Sequence, residues 1–516
     1  MLFADLATAS AAVGATRSRL AKRALLAAAI RTADPDEIDL VVTYLSGTLR
    51  QRRTGVGWSS LSSLPSAAAE PTLTVRAVDD AFAGIAAIGG AGSAALRAGA
   101  VEALFARATE GEQRLLRGLV FDEIRQGALD SLVQDGLAEA FGVPAAAVQR
   151  ASMLLGSTAA AARRLVADGL DGLTSVGLQV GVPVRPMLAA AAPDPAAAVE
   201  KSGLPALVDT KLDGIRVQVH RDGDRIRLYT RSLDDITDRL PDIVTAVASL
   251  PARQLVLDGE VLAVDAAGRP VPFQQIAART ATKAAEPSAA GAPLPLTLFC
   301  FDLLHVDGRD LLDEPLVERA EVMRAVLPAE LIVPRTVAPD LAAVEAAFAG
   351  AVRAGFEGAV VKKLHAPYAA GRRDSGWIKL KPRHTFDLAV IAAEWGYGRR
   401  TGWLSNLHLA ARDPRTGELV MLGKTFKGLT DAMLTWQTEQ FLAREARRTK
   451  TTVYVDPPLV AEIAIDGVQA STRYPGGVAL RFARVLRYRD DKSVDEVDGL
   501  DAIVALGPAA AVPDPA

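Results

Sequence analysis

The hydrophobic period of this chain changes at a proline-bearing stretch, and that change limits what the chain can fold into. Up to about residue 180, apolar side chains recur at helical spacing. Beyond "VGVPVRPMLAAAAPDPAA", residues 180–197, they alternate in short runs. A period of 3.6 builds amphipathic helices and a period of 2 builds half-buried strands. A chain of 516 residues also exceeds what one core can serve, so two to four domains are expected.

Within the first 180 residues, "TADPDEIDLVVTYLSG" predicts a helix capped at Thr32 or Asp34, with Pro35 in its first turn and Gly47 as its stop. "TEGEQRLLRGLV" carries a capping box, Thr109 with Glu112, ahead of Leu115, Leu116 and Leu119. Leu129, Leu132, Val133 and Leu137 then repeat at helical spacing. From about 205 to 385 the runs 207–219, 225–231, "LVLDGEVLAVD", "LTLFCFDLLHVDG" and "GAVVKK" read as strands. The helices "LVERAEVMRAVL" and "DLAAVEAAFAGAVRAG" interrupt them, which gives an α+β arrangement. Residues 281–295 read as a surface loop. From 385 onward, five short strands with one helix near 431–446 fit a small closed barrel of the OB type. The expected division is 1–180, 181–384 and 385–516.

Composition narrows the setting. The lone cysteine, Cys300, excludes an intrachain disulfide and a cysteine-based zinc site, and points to a reducing compartment. The first twenty residues lack the charged start and apolar core of a signal peptide. No 18-residue apolar window free of charge occurs, so no membrane span is expected and the default is a cytoplasmic protein. The net charge of −3 does not bear on nucleic acid, because acidic outer faces can balance a basic groove.

The chemistry starts at "DTKLDGIRVQVHRDGDRIRLYTRS", residues 209–232. Ile215, Val217 and Val219 alternate with Arg216, Gln218 and His220, and a turn at Asp222–Gly223 makes this a β-hairpin. Lys211 stands just before it, among arginines at 216, 221, 225, 227 and 231. Taken alone, Lys-x-Asp-Gly is a weak signal, and a solvated surface turn explains it equally well. Downstream come "LDGEV" with Glu260, "FCFDLLHVDG" with Phe301, "FEGAVVKK" with Glu357 and Lys362, and "GRRDSGWIKLKP" with Arg373, Lys379 and Lys381. Residues 361–400 hold nine Lys or Arg against three Asp or Glu. Such positive charge beside glutamates suits a polyphosphate carrying a divalent metal.

The order KLDG, TRS, LDGE, FDLL, EGAVVKK and WIKLK, closing in "RFARVLRYRDDK", resembles the covalent nucleotidyltransferases, and most closely the ATP-dependent DNA ligases. "VVTYLSG", "RQGAL" and "VPVRPMLA" are similar to the three-domain ligases of archaea and some bacteria. The resemblance covers nearly the whole chain. It implies an all-α DNA-binding domain, an α+β adenylation domain and a β-barrel OB-fold domain. ATP and Mg²⁺ are the implied cofactors and nicked duplex DNA the implied partner, with one chain enclosing each nick. It also implies a nucleoid-associated enzyme, with DNA replication, DNA repair and DNA recombination as the alternative roles.

By the same resemblance Lys211 is the nucleophile that takes AMP. Asp209, where many relatives have glutamate, contacts the adenine amino group, and Phe301 stacks on the base. Arg216 and Arg231 hold phosphate or ribose oxygens, while Glu260 and Glu357 bind a ribose hydroxyl or Mg²⁺. Arg373, Lys379 and Lys381 grip phosphates, the two lysines sharing a strand face with Trp377. Arg481, Arg484, Arg487 and Lys492 orient the departing pyrophosphate, with Ala483 standing where the family usually has proline. An amine attacks phosphorus only when neutral, and neighbouring cations are expected to favour that state of Lys211. Competing readings are an RNA ligase or capping-type enzyme, which generally lack the helical first region, and a non-catalytic DNA-binding clamp, which needs a broken KLDG motif.

Overall fold

The computed structural model describes residues 1–51, 53–61, 63–127, 130–265, 268–273, 275–276, 279, 294–369 and 373–507, the side chains of 58, 59 and 373–375 excepted. Among them the first region is all helix. It comprises α1 (Phe3–Ala15), α2 (Arg19–Arg31), α3 (Ile38–Leu45), α4 (Val75–Ala87), α5 (Ser93–Ala106), α6 (Glu110–Val120), α7 (Asp130–Phe141), α8 (Ala145–Leu154) and α9 (Thr158–Thr174). The capping box of α6 forms, with the Thr109 N–H donating to Glu112 Oε2 at 2.7 Å. Leu132, Val133 and Leu137 are buried along α7, whereas Leu129 lies outside the described residues. The helix expected from Thr32 or Asp34 starts later, at Ile38. The Glu37 N–H donates to the Asp34 carbonyl at 2.9 Å, closing a turn around Pro35 first. Gly47, at φ +82°, follows its end.

The central region holds two five-stranded sheets. One runs in the order β1 (Leu188–Ala191), β10 (Arg373–Leu380), β9 (Gly358–Lys363), β2 (Ala206–Lys211) and β8 (Arg335–Ala338). The other runs β4 (Arg225–Thr230), β3 (Ile215–Asp222), β5 (Gln254–Leu262), β6 (Thr297–Val306) and β7 (Arg309–Asp310). Helices 195–202 and 341–353 cover the first sheet, burying Ala198 and Val344 against Val208, Val361 and Ile378. Helices 241–248 and 316–326 cover the second through Ile243, Val247 and Met323. The opposite face of the second sheet joins the helical core through Val256 and Leu304.

The hairpin of β3 and β4 is present, with Asp222 opposite Arg225. The run 207–219, however, is two strands in different sheets. The chain crosses between them at residues 212–214, and Gly214 makes the crossing possible. A Cβ there would lie 2.3 Å from the Val261 carbonyl oxygen. The loop expected at 281–295 falls outside the described residues up to 293.

The third region contains β11 (His384–Trp395), β12 (Leu404–Arg412), β13 (Leu419–Thr425), β14 (Glu445–Arg448), β15 (Thr452–Ile465), β16 (Gly467–Ala470), β17 (Val478–Arg481) and β18 (Arg484–Tyr488). Its sheet runs β13-β12-β11-β15-β14, with β18 also on β15 and β16 paired to β17. Helix 431–443 buries Leu434 and Phe441 in this core. Among the described residues eight strands therefore replace the five expected. The run 479–489 is divided by Phe482, whose φ of +55° ends β17 before β18 begins.

Candidate active site

Between the two central sheets lies a cavity of about 510 Å³. Asp209 and Lys211 reach it from β2, Glu260 from β5, Phe301 from β6, and Lys362, Trp377 and Lys379 from β9 and β10. Thr230, Arg231 and Ser232 form one rim, while Arg481 and Phe482 of the third region form another. Lys211 is the last residue of β2 and sits opposite Gly358 of β9. Gly358 has φ +141°, and a Cβ on it would lie 2.1 Å from the Leu380 carbonyl oxygen. Glycine at 358 thus lets the start of β9 lie close against the end of β10, while the β2–β9 register sets Glu357 beside Lys211.

The Lys211 ammonium is ion-paired with Glu357, and the other oxygen of Glu357 is paired with Lys381. Lys381 also lies 3.3 Å from Asp466 of the third region. Burial raises the Glu357 carboxyl, but Lys211 and Lys381 outweigh it and leave the group below its ordinary range. Glu260 behaves oppositely. Burial pushes its carboxyl up to about 7 against the pull of Lys211 and Arg216, and one oxygen accepts the Gly214 N–H at 3.2 Å.

Deeper in, Asp209 Oδ2 is 2.7 Å from Lys362 and 2.9 Å from Arg335. Its Oδ1 is buried without a partner. Lys362 is 1% exposed; burial draws its ammonium below the usual lysine range, which Asp209 partly offsets. Lys362 Nζ stands 4.1 Å from the Trp377 ring centroid and 5.0 Å from that of Phe301. Those two rings meet edge to face at 5.6 Å.

The structure thus gathers Lys211, Asp209, Arg216, Arg231, Glu260, Phe301, Glu357, Lys379 and Lys381 around one space. The expected cations are nevertheless not the neighbours of the Lys211 amine. Arg221 is spent on the carbonyls of Val247 and Leu250 at 3.0 and 2.7 Å. Arg216 grips Asp258 with two nitrogens, at 3.1 and 2.5 Å, and the Met187 carbonyl at 2.7 Å. The four cations of the closing motif also separate. Arg481 lines the cavity and lies 3.1 Å from Asp213 of the KLDG turn. Arg484 lines an adjoining cavity of about 300 Å³ that shares Lys379, Lys381 and Phe482 with the first. Arg487 and Lys492 are ion-paired at 2.6 Å with Glu462 and Asp387, inside the third region. The Arg373 side chain lies outside the described set.

Lys362 stands out beside Glu357 in the sequence without a role, whereas Asp258, behind Arg216, and Lys427, in the adjoining cavity, were not expected. Strand alternation was a usable signal for Lys362, since Val360 and Lys362 face the cavity while Ala359 and Val361 face the core. Lys427 joins Lys379, Lys381 and Arg484 in the adjoining cavity, and no local pattern marked it.

The family descriptions "ATP dependent DNA ligase domain" and "ATP dependent DNA ligase C terminal region" match residues 186–381 and 400–492. A "Probable DNA ligase" of Beutenbergia cavernae is 57% identical over 98% of this chain and 99% of its own length. The chain belongs to the ATP-dependent DNA ligase family. A second "Probable DNA ligase", from a Nocardioides strain, is 58% identical over 98% of both proteins. The solved structure named "Pmar-Lig_Pre." superposes on this ligase with a TM-score of 0.63 at 17% identity, covering 94% of this chain and 99% of that one, a likeness of fold. The ligase is an enzyme whose family uses ATP, and these relationships do not favour an RNA ligase, a capping enzyme or an inert clamp. Among its described residues no helix is long and apolar enough to cross a membrane.

The cavity of the ligase suits ATP on its own chemistry. An orphaned carboxylate oxygen on Asp209 awaits a donor, two aromatic rings stand beside it, and lysines line the far wall. No cluster of three metal-ligating side chains occurs among the described residues. Two carboxylates beside a polyphosphate fit Mg²⁺, which keeps several waters and is usually carried by substrate phosphates with one or two protein oxygens.

Proposed function

We propose that this ligase seals nicks in duplex DNA through a lysine–AMP intermediate on Lys211. The observation that carries the reading is the Lys211 amine, held by Glu357 at the mouth of a cavity ending in the unpaired Asp209 oxygen. Lys211 loses a proton and its nitrogen bonds to the α-phosphorus while the bond to pyrophosphate breaks. A 5′-phosphate oxygen of the nick then takes AMP from Lys211. The 3′-hydroxyl attacks that 5′-phosphorus, AMP leaves, and the strand is continuous.

In this reading Asp209 Oδ1 accepts from the adenine amino group, and Phe301 packs on the base with Trp377 behind it. Glu260, near neutrality, meets the ribose hydroxyls. Lys379, Lys381, Arg231 and Arg373 hold phosphate oxygens, and Arg216 stiffens the wall through Asp258. Glu357, with Glu260, supplies oxygens to Mg²⁺, which when bound offsets phosphate charge. Arg481 and Arg484 flank the pyrophosphate path, while Arg487 and Lys492 serve the third region's own surface. Residues 1–180 form the DNA-binding module, 181–384 the nucleotidyltransferase and 385–516 the OB fold. One chain, working as a monomer at the nucleoid, encloses each nick, and phosphate contacts dominate because sealing is indifferent to sequence.

The test is incubation with α-labelled ATP followed by peptide mapping, then addition of nicked DNA. The label should appear on the peptide bearing Lys211 and leave it when nicks are added. Label on another residue, or none, overturns the reading.

A further inference from the structure

Residues 181–187 carry the chain from the helical region into the central one, and both sides bind them. From the central side, the face of β3 that bears Arg216 also bears Gln218 and His220. Gln218 accepts the Val184 N–H at 2.8 Å and donates to its carbonyl at 3.2 Å. His220 Nδ1 accepts the Gly181 N–H at 2.9 Å, and the Tyr229 hydroxyl donates to the Gly181 carbonyl at 2.9 Å. At the cavity end, Arg216 donates to the Met187 carbonyl at 2.7 Å. The Met187 N–H donates to the Tyr368 hydroxyl at 3.0 Å, which donates to Asp258 at 2.6 Å.

Arg185 points the other way. Its N–H donates to the Met153 carbonyl at 3.0 Å, its Nε to the Gly156 carbonyl at 3.3 Å and its Nη2 to Thr158 Oγ1 at 3.1 Å. Its Nη1 is ion-paired with Asp130, the first residue of α7. Asp130 also accepts from Ser46 at 3.1 Å and Gln134 at 2.8 Å, so one carboxylate ties α3, α7 and α9 to the linker. Between this network and the Met187 carbonyl stands only Pro186. Proline fixes its own φ and restricts the residue before it, so the step has little slack. A cavity of about 730 Å³ runs along this contact, with Thr158 and Arg185 on one side and Ser232 and Asp234 on the other. Ser232 also lines the nucleotide cavity, so the two spaces meet there.

We propose that Arg185 is a positioning residue that sets the register between the helical region and the nucleotide cavity. A nick held by the helices then presents its 5′-phosphate to AMP on Lys211. The inference rests on the ligase reading above. Arg185 does not line the nucleotide cavity. The cavity side of the linker is anchored without it, by Arg216, Gln218, His220, Tyr229 and Tyr368. Loss of Arg185 therefore loosens the helical side alone, and the defect falls on one step. Loading Lys211 with AMP needs only the cavity, whereas transfer to a nick needs both regions in register.

The experiment uses full-length Arg185→Ala, Arg185→Lys, Asp130→Asn and the Arg185→Ala/Asp130→Asn double variant. Three quantities are measured: self-adenylation with labelled ATP, nicked-duplex binding by the adenylated protein, and single-turnover AMP transfer to the 5′-phosphate. Self-adenylation is expected within about 2-fold of wild type and DNA affinity within about 3-fold. Transfer should slow roughly 10- to 100-fold, since a misplacement of about 1 Å is enough for that. Arg185→Lys keeps the charge but loses the forked contacts and should fall between. The double variant should be no slower than Arg185→Ala, because both changes break one network. Transfer at the wild-type rate, or self-adenylation slowed in the same proportion, overturns the proposal. If Arg185→Ala does not fold, Arg185→Lys carries the same comparison. A wild-type chain that forms no lysine–AMP refutes the ligase reading instead, which is a different failure.

Discussion

Removing the Lys211 amine should abolish ATP-dependent sealing, a loss on the order of 10³-fold or more. Sealing of a nick already carrying 5′-adenylate should persist, because that step needs the pocket and not the amine. An acid-labile protein–AMP adduct on Lys211→Ala would falsify the assignment. Phe301→Ala should raise the ATP concentration for half-maximal self-adenylation about 5- to 150-fold, the range set by losing about 1–3 kcal/mol of base stacking. An unchanged ATP dependence would leave Phe301 as a core aromatic. At this scale much was legible, since Lys211, Glu260, Phe301, Glu357, Lys379 and Lys381 all face one space. What stayed hidden was how charges pair. Arginines close in sequence to Lys211 turn to Asp258 or to helix carbonyls, and a glutamate 146 positions on takes the amine. These pairings join neighbouring strands of one sheet, β2 with the start of β9 and β3 with β5, and the order of strands in a sheet is not revealed by alternation within either strand.

Among elements, the grip of β3 on the linker carries a pH dependence. His220 is held neutral, its Nε2–H donating to Gln218 at 2.8 Å, and burial followed by nearby His305 pushes the ring down to about 3. The unfolded chain takes up that proton near pH 6.5, whereas the native chain refuses it until about pH 3. This contribution is therefore complete above about pH 6.5 and shrinks by about 1.4 kcal/mol per pH unit as pH falls toward the native value. His220→Gln should be less stable than wild type at pH 7, and the gap should narrow between pH 6.5 and 5 in denaturant titrations. A gap that stays constant would place the ring in water. The β3–β4 hairpin and the α6 capping box were readable because short-range chemistry decides them. The split of 207–219 and the turn ahead of α3 were not, since both depend on where the chain must go next.

For the molecule as a whole, affinity for nicked duplex should fall linearly on a log–log plot against salt, with a slope of about −0.9 per phosphate contacted. A slope near zero would refute a phosphate-gripping clamp. Arg481→Ala removes a contact between the third region and the KLDG turn, 268 positions apart. It should slow self-adenylation about 10- to 100-fold, an electrostatic loss of the usual size, while sparing a pre-adenylated nick. Equal loss in both assays would refute a role confined to the first step. The passage from helices to strands was visible as a change of period, but contacts between distant regions were not, because they join residues with no shared local pattern. The bend at Phe482 is a case in point. Along a straight strand, residues three apart lie on opposite faces, because three is odd. One left-handed residue between Arg481 and Arg484 resets that parity, so arginines on its two sides address adjoining cavities with shared lysines. The motif is therefore locked in length. Adding or deleting a single residue between the two arginines would turn one of them away, although every residue of the motif were kept.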